Sequence, residues 1–181
     1  MIYNDPVILE YLEKNKGKLI HLFGDPDAGR TQTVFSILNY MTSADKLCCY
    51  WVPQKEAFRQ NVFKEAVRMK QYCIIGFPKT ASEIPAFLKL AADGADLICI
   101  DNFLAYILHK QKDQIRALFS LLSGTAYQYG TNFLLVNDLR YLEAKGGMHP
   151  AYQEYFRHFC PRHILVEKDS DFHIRYGFTE L

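Results

Sequence analysis

Lys18-Leu19-Ile20-His21-Leu22-Phe23-Gly24-Asp25-Pro26-Asp27-Ala28-Gly29-Arg30-Thr31-Gln32-Thr33 reads as a buried strand, a glycine-bounded loop and the start of a helix. The spacing of Gly24, four residues, Gly29, a basic residue and Thr31 fits the phosphate-loop pattern G-x-x-x-x-G-K-[ST], with Arg30 where the pattern has lysine. Such a loop works because its backbone N–H groups and the N-terminus of the following helix converge on phosphate, while the hydroxyl completes a Mg²⁺ shell. Lysine is a compact point charge and arginine a longer planar fork, so the exchange alters how phosphate is held. Gly24, Asp25, Pro26, Asp27, Ala28, Gly29, Arg30, Thr31 and Gln32 are the candidate nucleotide-binding residues. Asp25 and Asp27 add negative charge beside the phosphates, which is tolerable where they face solvent. The plainer alternative is a strand-turn-helix whose glycines serve the turn alone.

A chain of 181 residues is most simply one domain, here 1–181, with 1–16 as an N-terminal helix or arm. Its 49% hydrophobic residues and net charge of +1 belong to a globular protein and rule out a disordered or fibrous one. A nucleic-acid face would have to be a local patch, because no overall basic surplus exists. No apolar run approaches the ~20 residues of a membrane span. The first residues, including Asn4, Asp5 and Pro6, lack the basic-then-apolar layout of a signal peptide, so a cytoplasmic location is expected. Cys48, Cys49, Cys73, Cys99 and Cys160 sit in apolar surroundings and read as buried free thiols. His158, Cys160 and His163 have no C-x-x-C partner to complete a zinc site.

Strands and helices alternate along the chain. Ile8, Leu9 and Leu12 suggest a short helix before the first strand, and 31–41 the helix after the loop. Strands are expected at 47–52 and 72–76, with an amphipathic helix over 56–70 between them. A further helix, capped by Thr80 or Ser82, should run to Ala92 and close at Gly94. The helix carrying Ile115, Leu118, Phe119 and Leu122 is expected to stop near Gly124, and 143–149 to form a mobile loop. Tyr152, Tyr155, Phe156 and Phe159 share one helical face, whose simplest role is packing on the sheet rather than base stacking. The chain closes as a hairpin, 162–168 with 172–177. The implied fold is α/β, a mainly parallel central sheet with helices on both faces and a C-terminal antiparallel hairpin.

Two further strands end in polar residues. Asp96-Leu97-Ile98-Cys99-Ile100-Asp101 delivers a carboxylate to the carboxyl edge of the sheet, where it can hold Mg²⁺ through water together with Thr31. Thr131-Asn132-Phe133-Leu134-Leu135-Val136-Asn137-Asp138 ends in an amide and an acid.

These ordered landmarks resemble the core of the RecA/RadA recombinase family over nearly the whole chain. Gly24 to Gln32 resembles its first motif, Ile98 to Ala105 its second, Leu135 to Arg140 the strand whose amide senses the terminal phosphate, and Phe172 to Gly177 its closing strand. The resemblance implies a RecA-like P-loop NTPase core that binds ATP and Mg²⁺, with Asn137 and Asp138 as sensor residues. It also implies single-stranded DNA or a recombinase, or another RecA-fold protein, as partner, a homo- or hetero-oligomer, and a cytoplasmic or nucleoid-associated location. The family's catalytic Glu falls at Gln54 when counted from the second strand, or at Glu56 with an inserted residue. Gln cannot accept a proton from water. Asp138 stands where a Gln belongs, and an acid there repels a terminal phosphate unless it is paired. The segments corresponding to the family's DNA-contacting loops are short, leaving Arg140 and Lys145, with Lys110 and Lys112, as candidate DNA contacts. The expectation is an accessory or paralogue in DNA recombination or repair, with weak or absent ATP hydrolysis. An active DNA-dependent ATPase and a non-enzymatic interaction or inhibitor protein of the same fold are the alternatives.

Overall fold

The computed structural model describes residues 6–51, 73–76, 84–108, 110–142, 147–150, 152–170 and 173–180. Helix α1 (Pro6–Lys14) precedes β1 (Leu19–Gly24), α2 (Arg30–Ser43), β2 (Cys48–Trp51) and β3 (Cys73–Gly76). Then come α3 (Ile84–Ala92), β4 (Leu97–Asp101), the short α4 (Leu104–Ile107) and the long α5 (Lys112–Tyr129). The chain continues through β5 (Asn132–Leu142), β6 (Gly147–Pro150), α6 (Gln153–Phe159), β7 (Arg162–Lys168) and β8 (Ile174–Glu180).

The fold is α/β, built on an eight-stranded mixed sheet of order β3-β2-β4-β5-β1-β7-β8. All neighbours from β3 to β7 run parallel, β8 returns antiparallel to β7, and β6 pairs antiparallel with the far end of β5. The period of two is visible in the core. Leu19, Cys49, Ile98, Ile100, Phe133 and Leu135 face one cluster, completed by Phe119 of α5 and Phe156 of α6. Ile20, Leu22, Cys48, Tyr50, Leu134 and Val136 face the other, completed by Ile8, Leu9 and Leu12 of α1 and Val34, Ile37 and Leu38 of α2. Each fully buried Leu, Ile or Phe contributes ~1.5–3 kcal/mol, so the two apolar layers are what hold the helices on the sheet. Cys48, Cys49, Cys99 and Cys160 are buried.

Helix α5 corrects one expectation. It does not stop at Gly124 but runs through it to Tyr129, where Gly130 supplies the left-handed cap at φ 66°. A mid-helix glycine costs only ~1 kcal/mol relative to Ala. Thr125 and Ala126 beyond it are buried, and that packing carries the helix through. The strand after α5 is also longer than expected. Its continuation, Leu139 to Leu142, pairs with Gly147 to Pro150, so 147–149 form a strand rather than a loop. The helix expected over 56–70 and the caps Thr80 and Ser82 lie outside the described residues. Among the described residues no helix is long and apolar enough to cross a membrane.

Candidate functional site

The register of the parallel strands assembles the site. In the β1–β5 pair Gly24 lies beside Asp138, and in the β4–β5 pair Asp101 lies beside Val136. The loop after β1, the acid ending β4 and the polar end of β5 thus meet at the carboxyl edge of the sheet, where open α/β sheets take their ligands.

The loop's two glycines serve different ends. A Cβ on Gly24 would run into the Val166 carbonyl oxygen of the neighbouring β7, so this position is dictated by strand packing. Gly29 has φ 92°, in the left-handed region that side chains avoid, and a Cβ there would fall 2.7 Å from Ile174 Cδ1. Between them Ala28 N–H donates to the Asp25 carbonyl at 3.1 Å, and α2 begins as Thr33 N–H donates to the Gly29 carbonyl at 2.8 Å. Asp25 and Asp27 are exposed, as an anion-binding loop requires of its acids, and Gln32 is exposed as well.

Arg30, in the first turn of α2, forms an ion pair through Nη2 with Oδ1 of Asp138. The two residues that depart from the expected pattern, Arg30 and Asp138, are therefore partners. The Arg30 side chain is 15% exposed, and its Nε is buried without a hydrogen-bond partner. A buried orphan donor costs ~1–3 kcal/mol, so this one calls for an acceptor.

Asp101 is the second anchor. Its Oδ2 accepts from the Tyr50 hydroxyl at 2.9 Å and from Thr31 Oγ1 at 3.5 Å. Burial pushes the Asp101 carboxyl above its ordinary range. The Tyr50 hydrogen bond, Arg30 and the Thr31 contact pull it back down, while Asp138 adds to the rise. Although part of its surface meets solvent, protein surrounds this carboxyl closely enough for burial to dominate. Thr31 and Asp101 offer two hard oxygen donors side by side. They suit Mg²⁺, which takes few protein ligands and fills its shell with water and phosphate oxygens. No group of three His, Cys, Asp or Glu side chains among the described residues could hold a metal ion.

Tyr50 was not legible as a site residue in the sequence. Its signal is the alternation in β2, which puts Tyr50 with Cys48 on the α2 side of the sheet, one strand from Asp101.

Asn137 is placed differently from Asp138. Its parity matches Phe133 and Leu135, on the face away from α2, and its Oδ1 accepts from Leu104 N–H at 2.8 Å. The amide thus fixes the start of α4, and its Nδ2 is buried without a partner. Arg140 lies on β5 opposite His149, and Lys112 is exposed at the start of α5. Gln54, Glu56 and Lys145 lie outside the described residues.

A separate open cavity of about 230 Å³, lined by Leu9, Leu12, Tyr40, Met41, Lys46 and Asp96 among others, lies at the amino edge of the strands. Asp96 there is already engaged by Leu47 N–H at 3.1 Å and Lys46 at 3.6 Å. The chemistry-bearing groups gather at the opposite edge. The chain matches no protein-family model and no curated protein.

Proposed function

We propose that this chain is a RecA-like P-loop protein that holds the phosphates of a nucleotide between the Gly24–Thr31 loop and Asp101, with weak or absent hydrolysis. The observation that carries the reading is the Thr31–Asp101 contact of 3.5 Å behind a left-handed Gly29. A hydroxyl at the helix start and a strand-end acid, distant in sequence, share one oxygen atom's surroundings at the mouth of an anion-binding loop. Arg30, in the first turn of α2, supports it, since a guanidinium beside such a loop suits a phosphate oxygen. Thr31 and Asp101 would hold Mg²⁺, which would supply positive charge to offset that of the phosphates. The role in DNA recombination or repair, with single-stranded DNA, a recombinase or a further copy as partner in the cytoplasm or nucleoid, comes from the family resemblance. Arg140 and Lys145 are its candidate DNA contacts.

The test is thermal melting with Mg²⁺ and millimolar ADP or ATP, in the wild type and in Thr31→Ala. Ligand at ~100 times its dissociation constant adds ~2.7 kcal/mol. For a chain of this size that is a rise of about 5–10 °C, diminished in Thr31→Ala. Melting temperatures unmoved by either nucleotide would overturn the reading. They would favour a second one, motivated by the Arg30–Asp138 pair: a nucleotide-free interaction protein in which the chain's own carboxylate satisfies the loop's cation.

A further inference from the structure

Resting on the phosphate-loop reading, we propose that the loop is built for a nucleoside diphosphate and that Asp138 is the residue that rejects a triphosphate. The basic residue after the second loop glycine is the one that reaches the outer phosphates. Here that residue already holds an anion, Oδ1 of Asp138 against Nη2 of Arg30. Both partners stand on rigid elements. Arg30 is in the first turn of α2, and Asp138 is locked beside Gly24 by a continuous register from Leu19↔Phe133 to Gly24↔Asp138. The carboxylate therefore cannot be carried away from the loop without breaking the strand pairing, and only its side-chain torsions can move it.

Arg30 still has donors to offer. Its planar fork carries five N–H donors, and the Asp138 carboxylate is held through Nη2. A remaining donor such as Nη1 can thus take an inner phosphate oxygen while Nη2 keeps Asp138, a division of donors in fixed directions that a lysine point charge does not provide. A terminal phosphate would meet the Asp138 carboxylate instead of a free cation, and like charges brought together repel. Arginine for lysine and aspartate for amide are, on this account, a single joint change in phosphate selectivity.

The experiment is calorimetric titration of the whole chain with ADP and with ATP at fixed Mg²⁺, in the wild type, in Asp138→Asn and, should that variant fail to fold, in Asp138→Gln. The wild type is expected to bind ADP at least ten times more tightly than ATP, and the uncharged variant to regain at least ten-fold in ATP affinity with a smaller change for ADP. ATP binding the wild type as tightly as ADP would overturn the diphosphate selectivity and leave the loop reading intact. An ADP preference unchanged in the variant would overturn the role of Asp138. Binding by the variant alone would make Asp138 a general anion block, and so also overturn the selectivity. No binding by either protein would overturn the loop reading and this inference with it.

Discussion

Acid should destabilise this protein through two histidines that no site uses. His21 of β1 and His163 of β7 lie side by side in the parallel register, fully and almost fully buried, with their Nδ1 atoms 3.3 Å apart. Only one of the two nitrogens can donate in that contact, and both Nε2 atoms are buried without partners. His21 is also stacked on Phe156 at 3.9 Å. Burial, then the neighbouring His163, drive the His21 pKa well below the ordinary 6.5. Burial lowers His163 too, with Arg157 adding to the fall and a backbone hydrogen bond to Cys160 opposing it. The native state thus keeps these rings neutral at a pH where the unfolded chain protonates them. The unfolded state then binds more protons, so stability is fully present above pH 6.5 and is lost as pH falls below it. While His21 stays neutral, its loss between about pH 7.5 and 5.5 is on the order of 1 kcal/mol, with His163 adding a part. That corresponds to a fall of a few degrees in melting temperature. Asp101, raised by burial, works in the opposite direction, so the assay compares the wild type with His21→Leu in urea titrations across that range. The variant should show a shallower pH dependence whatever its absolute stability. Equal slopes in the two proteins, or a wild-type stability that does not fall with acid, would refute the reasoning.

Three substitutions probe the scaffold. Gly24→Ala should cost ~1–3 kcal/mol in urea denaturation, because the added methyl meets the Val166 carbonyl and β7 must shift. An unchanged midpoint would mean that the edge of β7 yields freely. Phe119→Ala should cost ~3–5 kcal/mol, since this fully buried ring touches Phe103, Phe156 and Phe159 at centroid distances of 5.3, 5.1 and 5.3 Å. A loss under ~1.5 kcal/mol would contradict its place at the centre of that cluster. Gly124→Ala should stabilise by ~0.5–1 kcal/mol, because the position is exposed inside α5 and a Cβ there meets nothing within 4 Å. A lower melting temperature would show that α5 is interrupted at Gly124.

Most of the strand and helix order was legible because it depends on patterns that burial enforces. The apolar runs of β1, β4 and β5 could only be strands covered on both faces, and the loop between Gly24 and Gly29 could only follow a strand and start a helix. The end of α5 was not legible, since Gly124 and Gly130 are equally plausible stops until the burial of Thr125 and Ala126 is known. The β5–β6 extension was hidden for a similar reason, as Gly147 to Pro150 becomes a strand only through its partner. At the candidate site, the approach of Thr31 to Asp101 was readable from spacing and strand ends. The pairing of Arg30 with Asp138 was not, because each looked like a separate defect until the register set them together. Asn137 illustrates the limit of a resemblance read residue by residue. Strand parity turns its side chain to the other face, where it serves the start of α4.

We propose that the Gly24–Thr31 loop holds phosphates at the carboxyl edge of the sheet. Backbone amide spectra of the ¹⁵N-labelled protein, recorded as Mg²⁺-ADP is added, test it most directly because they locate binding as well as detect it. Saturable shifts are expected at residues 25 and 27–33 and around Asp101 and Asp138, with the amides of Leu9, Leu12 and Met41 at the opposite edge unmoved. Shifts centred on that opposite cavity, or spectra that ADP leaves unchanged, would contradict it.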